Sequence, residues 1–152
     1  MSGYTIERFV HLVGAFGFIA SHGATAAITF RIRRERDPAR ILAYLDLSRS
    51  TRGLMHGSVA LLLLGGIGAG FHGRWWSAGW IWTSLALFIV LFAAAFPLAV
   101  PYFRALRRVV EAESVDRAEL ERLLASSRPA LLAWVETLGV LVILALMVFK
   151  PF

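Results

Sequence analysis

Residues 75–103 read WWSAGWIWTSLALFIVLFAAAFPLAVPYF, 29 positions between Arg74 and Arg104 without one charged side chain. At about 1.5 Å of rise per helical residue, such a run exceeds the ~30 Å hydrocarbon core of a bilayer. It reads as a membrane span, and three further stretches share its character. Uncharged runs cover 9–30 and 53–73, and 129–149 is interrupted only by Glu136. Helices are therefore expected at about 6–31, 50–72, 76–112 and 129–149. The fold class is all-α: a four-transmembrane-helix bundle, one integral membrane domain over 1–152, with short cytoplasmic surface helices.

Composition agrees. The chain is 58% hydrophobic and 17% charged with a mean hydropathy of +0.67, whereas soluble domains are about half apolar and about a quarter charged. Four spans account for nearly all 152 residues, so any chemistry belongs inside the bundle or at its rims. The absence of cysteine excludes disulfides, iron–sulfur clusters, thiolate metal sites and thiol catalysis. The net charge of +6 and pI near 11 do not call for nucleic acid, because the charge is concentrated in two loops. Seven arginines (31, 33, 34, 36, 40, 49, 52) lie in 31–52 and six more in 104–128. Excess Lys and Arg marks the cytoplasmic side, which puts both termini outside. The opening MSGYTIERF lacks a basic signal-peptide head, and the apolar run after it is too long for a signal core, so the first helix reads as permanent.

Between the spans, FRIRRER is expected to continue the first helix to the Asp37–Pro38 break. A short helix over 38–48, with Ile41, Leu42, Tyr44, Leu45 and Leu47, is expected to rest on the bundle or the bilayer surface. Ser114 or Asp116 can cap another short helix, with Glu119 as capping-box partner, and Pro129 suits the first turn of the last span. Gly65, Gly66, Gly68 and Gly70 permit close helix or cofactor contact. Pro97 and Pro101 predict a kink. Trp75, Trp76, Trp80 and Trp82 form an interfacial belt at the outer end. The sequence carries no Rossmann, P-loop or GxSxG pattern.

All four histidines, His11, His22, His56 and His72, fall in or at the ends of the first two spans. Intramembrane histidines serve as ligands, proton relays or packing residues. Measured along ideal helices, His11 and His72 lie ~3 and ~2 Å from the outer edge, while His22, His56 and Glu136 lie ~12, ~5 and ~10 Å from the inner one. His11 and His22 share a face; His56 and His72 are ~160° out of phase. Two layers of paired imidazoles suit bis-histidine haem b, with Gly14, Ala15 and Phe18 leaving room for a porphyrin and Arg31, Arg52 or Arg74 pairing a propionate. Copper is the alternative metal, with Met55 beside His56. Zinc hydrolysis is disfavoured without an HExxH motif. Glu136, the one acidic residue inside a span, is expected to face the interior near His22 or His56 and to take part in proton uptake.

The sequence His11-Leu-Val-Gly14, the His22-Gly23 pair, FRIRRERDP and the terminal LMVFKP resemble an uncharacterised family of bacterial predicted integral membrane proteins known only as a domain of unknown function. The resemblance spans the chain and implies a bacterial cytoplasmic membrane location. More distantly, the layout is similar to copper-resistance D proteins and to the HemJ-type membrane protoporphyrinogen oxidase. The latter likeness implies haem b with His11 as a ligand. The leading expectation is a haem-b-binding electron-transfer protein or oxidoreductase subunit, exchanging electrons with a quinone or a membrane redox partner. Copper or small-solute transport, and a structural subunit without cofactor, are the alternatives. A homodimer or larger membrane complex stays open.

Overall fold

The computed structural model describes residues 2–152, the Phe96 side chain excepted. Its helices are α1 (Gly3–Ile32), α2 (Pro38–Ser50), α3 (Arg52–His72), α4 (Gly79–Val110), α5 (Arg117–Ala125) and α6 (Arg128–Phe149). Four of them, α1, α3, α4 and α6, supply the segments long and apolar enough to cross a membrane, as the charge-free runs require. Local chemistry sets several of the ends. The Ser2 hydroxyl caps α1 by accepting from the Thr5 amide. Asp37 caps α2 through the Ala39 amide, with Pro38 in the first turn, and Asp116 accepts from the Ala118 and Glu119 amides at the start of α5. Each carboxylate satisfies amides that a helix start leaves unpaired.

Two boundaries differ from expectation. FRIRRER does not stay helical to Asp37: α1 ends at Ile32, where the Arg34 amide turns back to the Arg31 carbonyl and the Glu35 amide to that of Ile32. The Glu35 carboxylate then accepts from the Arg36 and Asp37 amides at 2.9 and 3.1 Å. That local bonding competes with helix continuation, a cost the helix propensity of arginine does not register. The third span, α4, starts at Gly79, not 76, because Trp75–Ser77 form a single 3-10 turn. Arg74 before it adopts φ 54°, a left-handed conformation that reverses the chain sharply. Pro97 and Pro101 lie within an unbroken α4.

The chain termini and the tryptophan-rich turn share one end of the bundle. There the Trp80 amide donates to the Phe152 carbonyl at 3.2 Å, and Lys150 Nζ lies 4.2 Å from the Trp75 ring centre. Both arginine-rich segments lie at the other end. Here Ile28, Ile32, Ile41, Leu45, Leu106, Val110, Leu120 and Leu124 form one buried cluster that joins α1, α2, α4 and α5. Arg107 ties α4 to α2 through Asp46 at 2.6 Å and also binds Glu111 at 2.8 Å. The short helices are therefore a cap packed on the bundle. Away from the cap, large apolar side chains such as Phe16, Leu64, Phe71 and Val90 point outward, which suits lipid as the surrounding solvent.

The spans pack unequally. α1 lies along α3 in continuous contact and α4 pairs more loosely with α6, while α1 and α6 touch over a short stretch. Two helical hairpins thus meet at the arginine end and leave a cleft between them toward the tryptophan end.

Candidate functional site

The seam between α1 and α3 is built on glycine. A Cβ added at Gly14 would fall within 3.0 Å of the Leu61–Leu62 backbone, and one at Gly65 equally close to the backbone of His11 and Glu7. Small residues let two helix backbones approach this closely in lipid. His11 reaches across the seam: its Nδ1 lies 2.7 Å from the Leu62 carbonyl oxygen, and its ring rests where a side chain at Gly66 would stand. A carbonyl only accepts, so Nδ1 carries a proton, and in the neutral form of the ring the lone pair is on Nε2. The space beside Gly14 is filled by Leu62, leaving no slot between α1 and α3 at this level for a flat ring.

His72 turns to a residue that sequence reasoning passed over. Its Nδ1 lies 2.7 Å from Glu7 Oε2, one helical turn before His11 on the same face. That i, i+4 relation was the available signal. His56 is exposed, with Nδ1 2.7 Å from the carbonyl of Arg52 on its own helix. Ser58, two residues on, is buried against Gly17 of α1, so His56 faces away from that seam. The histidines do not assemble into one centre: among the described residues no group of three or more His, Asp or Glu side chains could hold a metal ion.

The cleft between the hairpins holds a cavity of about 430 Å³, within the ~300–1,000 Å³ usual for small-molecule and cofactor sites. Its walls are almost wholly apolar, with Phe18, Leu62, Trp80, Ile81, Phe88 and Met147 prominent. The polar groups that reach it are few: His11, Ser84, and the cations Arg8 and Lys150. The Trp76 ring also lines this wall, while its indole N–H is buried beside Gly70 without a hydrogen-bond partner. Met147 lies two residues inside the apolar run 129–149 and His11 two residues inside 9–30, so both stand ~3 Å from the same membrane edge. The cavity therefore offers an imidazole and a thioether at one level and two positive charges.

Toward the arginine end the cleft is closed by Phe18, which meets Phe88 edge-on at 5.6 Å and stacks on His22 at 6.2 Å. Beyond these rings the structure brings His22 together with Glu136. His22 Nδ1 is 3.7 Å from Glu136 Oε2, and His22 Nε2 is 3.1 Å from the hydroxyl of Thr137. This pair borders a second, small cavity of about 50 Å³ lined also by Thr25, Thr29, Phe103 and Pro129. Thr137, Met147, Trp76 and Lys150 were not singled out by the sequence as site residues, because nothing in one sequence says which non-adjacent helices will touch.

A family model described as predicted integral membrane protein (DUF2269) matches residues 5–151. No curated protein and no solved structure matches the chain, so the distant likeness to copper-resistance and oxidase layouts carries no further argument.

Proposed function

The chain belongs to the DUF2269 family of predicted integral membrane proteins, and we propose that it binds haem b in the cleft between its two hairpins as an electron-transfer protein or a subunit of a membrane oxidoreductase. The observation that carries this reading is the state of His11. Its Nδ1 is anchored to a backbone carbonyl, its ring borders a large aromatic cavity, and anchoring of this kind is how proteins fix a ligand imidazole with the other nitrogen free. Haem b is an apolar ring with two carboxylates. The apolar walls suit the ring, and Arg8 and Lys150 suit the carboxylates. Met147, the cavity's thioether, would be a second residue to hold the group, since histidine–methionine pairs hold haem in electron-transfer proteins. Bound there, the group would supply a one-electron centre near the tryptophan end.

The excess of arginine at the opposite end supports a cytoplasmic placement for that end in a bacterial inner membrane, with both termini outside. A centre near the outer edge then suits exchange with a quinone or a membrane partner. The chain's own residues contribute position and exclusion of water: the Gly14–Gly65 seam fixes His11, and Phe18 and Phe88 separate the cleft from the arginine end.

The test is the absorption spectrum of detergent-purified protein from haem-supplemented cells. Wild type and His56→Ala should show a reducible b-type spectrum. His11→Ala should lose it or turn high-spin while inserting normally, and Met147→Ala should turn high-spin. Colourless wild-type protein would refute the haem reading, and bound copper without haem bands would favour the copper alternative.

A further inference from the structure

We propose that His22 and Glu136 form a proton site that holds one shared proton and exchanges it with the arginine end of the bundle, independently of what occupies the cleft.

The hydrogen-bond directions around Thr137 set the starting point. Thr137 has one hydroxyl proton, and it goes to the Ala133 carbonyl at 2.7 Å. Toward His22 Nε2, 3.1 Å away, Thr137 therefore can only accept, so Nε2 carries a proton. A neutral imidazole protonated at Nε2 has a lone pair on Nδ1. That lone pair would point at Glu136 Oε2 across 3.7 Å. A lone pair and an ionised carboxylate repel at this distance inside a low-dielectric span, and a buried unpaired carboxylate is itself costly. One proton removes both penalties, either on the carboxyl, which leaves both groups neutral, or on the ring as an imidazolium paired with the carboxylate. The two groups then titrate as a unit.

Among the described residues no other charged side chain lines the cavity they border. The cavity they border is completed by Thr25, Thr29 and Ala26 of α1, Ala99 and Phe103 of α4, and apolar residues of α6. α3 presents Ser58 to α1 and turns His56 away. Thr25 and Thr29 donate to carbonyls of their own helix, which leaves their oxygens as acceptors.

The same cavity supplies the route. His22 and Glu136 lie ~10–12 Å inside the span, while Thr29 and Pro129 lie within ~2 Å of its arginine-end edge. All four line one cavity, and its volume of about 50 Å³ admits one or a few waters, each needing at least ~10–15 Å³. On the other side the stacked Phe18 ring and Phe88 separate the pair from the cleft.

The test reads the proton directly in bilayer-reconstituted protein, by nitrogen NMR of labelled histidine and infrared spectroscopy of the carboxyl. The His22 signal is assigned by its loss in His22→Gln. Wild type at pH 7 and above should show either a doubly protonated His22 or a protonated-carboxyl band that disappears in Glu136→Gln. In Glu136→Gln, His22 should become a neutral ring protonated at Nε2. Thr29→Leu, which fills the mouth, should slow hydrogen–deuterium exchange of the site. A wild-type His22 with a bare Nδ1 beside an ionised Glu136, or a neutral ring protonated at Nδ1, would overturn the assignment of the proton. Unchanged exchange in Thr29→Leu would overturn the route.

Discussion

Gly14→Ala and Gly57→Ala are the same chemical change on helices of the same pair, and the structure demands opposite signs. At Gly57 an added Cβ meets nothing within 4 Å. Replacing glycine by alanine within a helix removes backbone freedom from the unfolded chain and should stabilise by about 0.4–1 kcal/mol. At Gly14 the added Cβ would stand within 3.0 Å of three backbone atoms of α3. Backbone cannot rotate aside as a side chain can, so the helices must separate until contact reaches the ordinary 3.4–4 Å. Separation thins dispersion contacts along the whole seam and stretches the bond from His11 to Leu62, now 2.7 Å. Overpacking of this kind costs about 1–3 kcal/mol, and the loss of a neutral hydrogen bond about 1 kcal/mol more. The net expectation for Gly14→Ala is a destabilisation of about 2–3 kcal/mol, or a roughly 30- to 150-fold shift in the unfolding equilibrium. Reversible unfolding in mixed micelles, followed by circular dichroism, measures both variants on one scale. Equal effects of the two substitutions, or a Gly14→Ala change within about 0.5 kcal/mol of wild type, would refute the close seam.

Leu106→Ala, which empties a site that is 0% exposed, should cost about 2–5 kcal/mol in the same assay, whereas Arg107→Ala, which breaks the exposed pairs with Asp46 and Glu111, should cost under about 1 kcal/mol. The reverse order would show that the cap is held by charge and not by packing. Glu35 supplies a pH prediction: the Arg36 and Asp37 amides hold its carboxyl below the usual carboxylate range. The loop order it provides is therefore complete above the unfolded carboxylate value of about 4.3 and is lost as pH falls through the lower folded value. Amide-exchange protection at Arg36 and Asp37 should fall in that window in wild type and be low at every pH in Glu35→Gln.

The spans were legible because lipid forces the backbone to satisfy itself within each helix, so length and absence of charge suffice to find them. The start of α5 was legible in Asp116 with Glu119 three residues on, and the start of α2 in the Asp37–Pro38 break, although the capping role of Asp37 was not read. The phase argument on the second span also carried real information: Ser58 and His72 face α1, and His56 does not. What the sequence could not display was which partner wins when two are within reach. His11 and His72 stand at one depth, yet Glu7, a single turn from His11, takes His72, and a backbone carbonyl takes His11. The meeting of His22 with α6 depends on how two hairpins lean together, a property of the assembled bundle. The early end of α1 escaped for a different reason. Glu35 accepts hydrogen bonds from the two amides that follow it, and a propensity scale averages over such local alternatives.

The distribution of packing explains how one small bundle can support both sites. At the arginine end eight buried apolar residues from four helices fix the hairpins relative to each other, and the polar pair His22–Glu136 lies just inside that fixed end. There it needs only small waters and a constant geometry to exchange a proton. At the tryptophan end the hairpins diverge, and closure comes from aromatic contacts such as Trp75 with Trp80 at 5.9 Å and from Lys150 lying over both rings. Such contacts are individually worth about 1 kcal/mol, so a bulky ligand can displace them, whereas parting the glycine seam would disturb backbone contacts along two helices. On the proposed reading a large guest would enter by moving rings at the open end, and His11 would keep its orientation because its anchor belongs to the seam. The Phe18–Phe88 contact, between the two sites, lets the cleft change occupant without opening a water path to the proton pair.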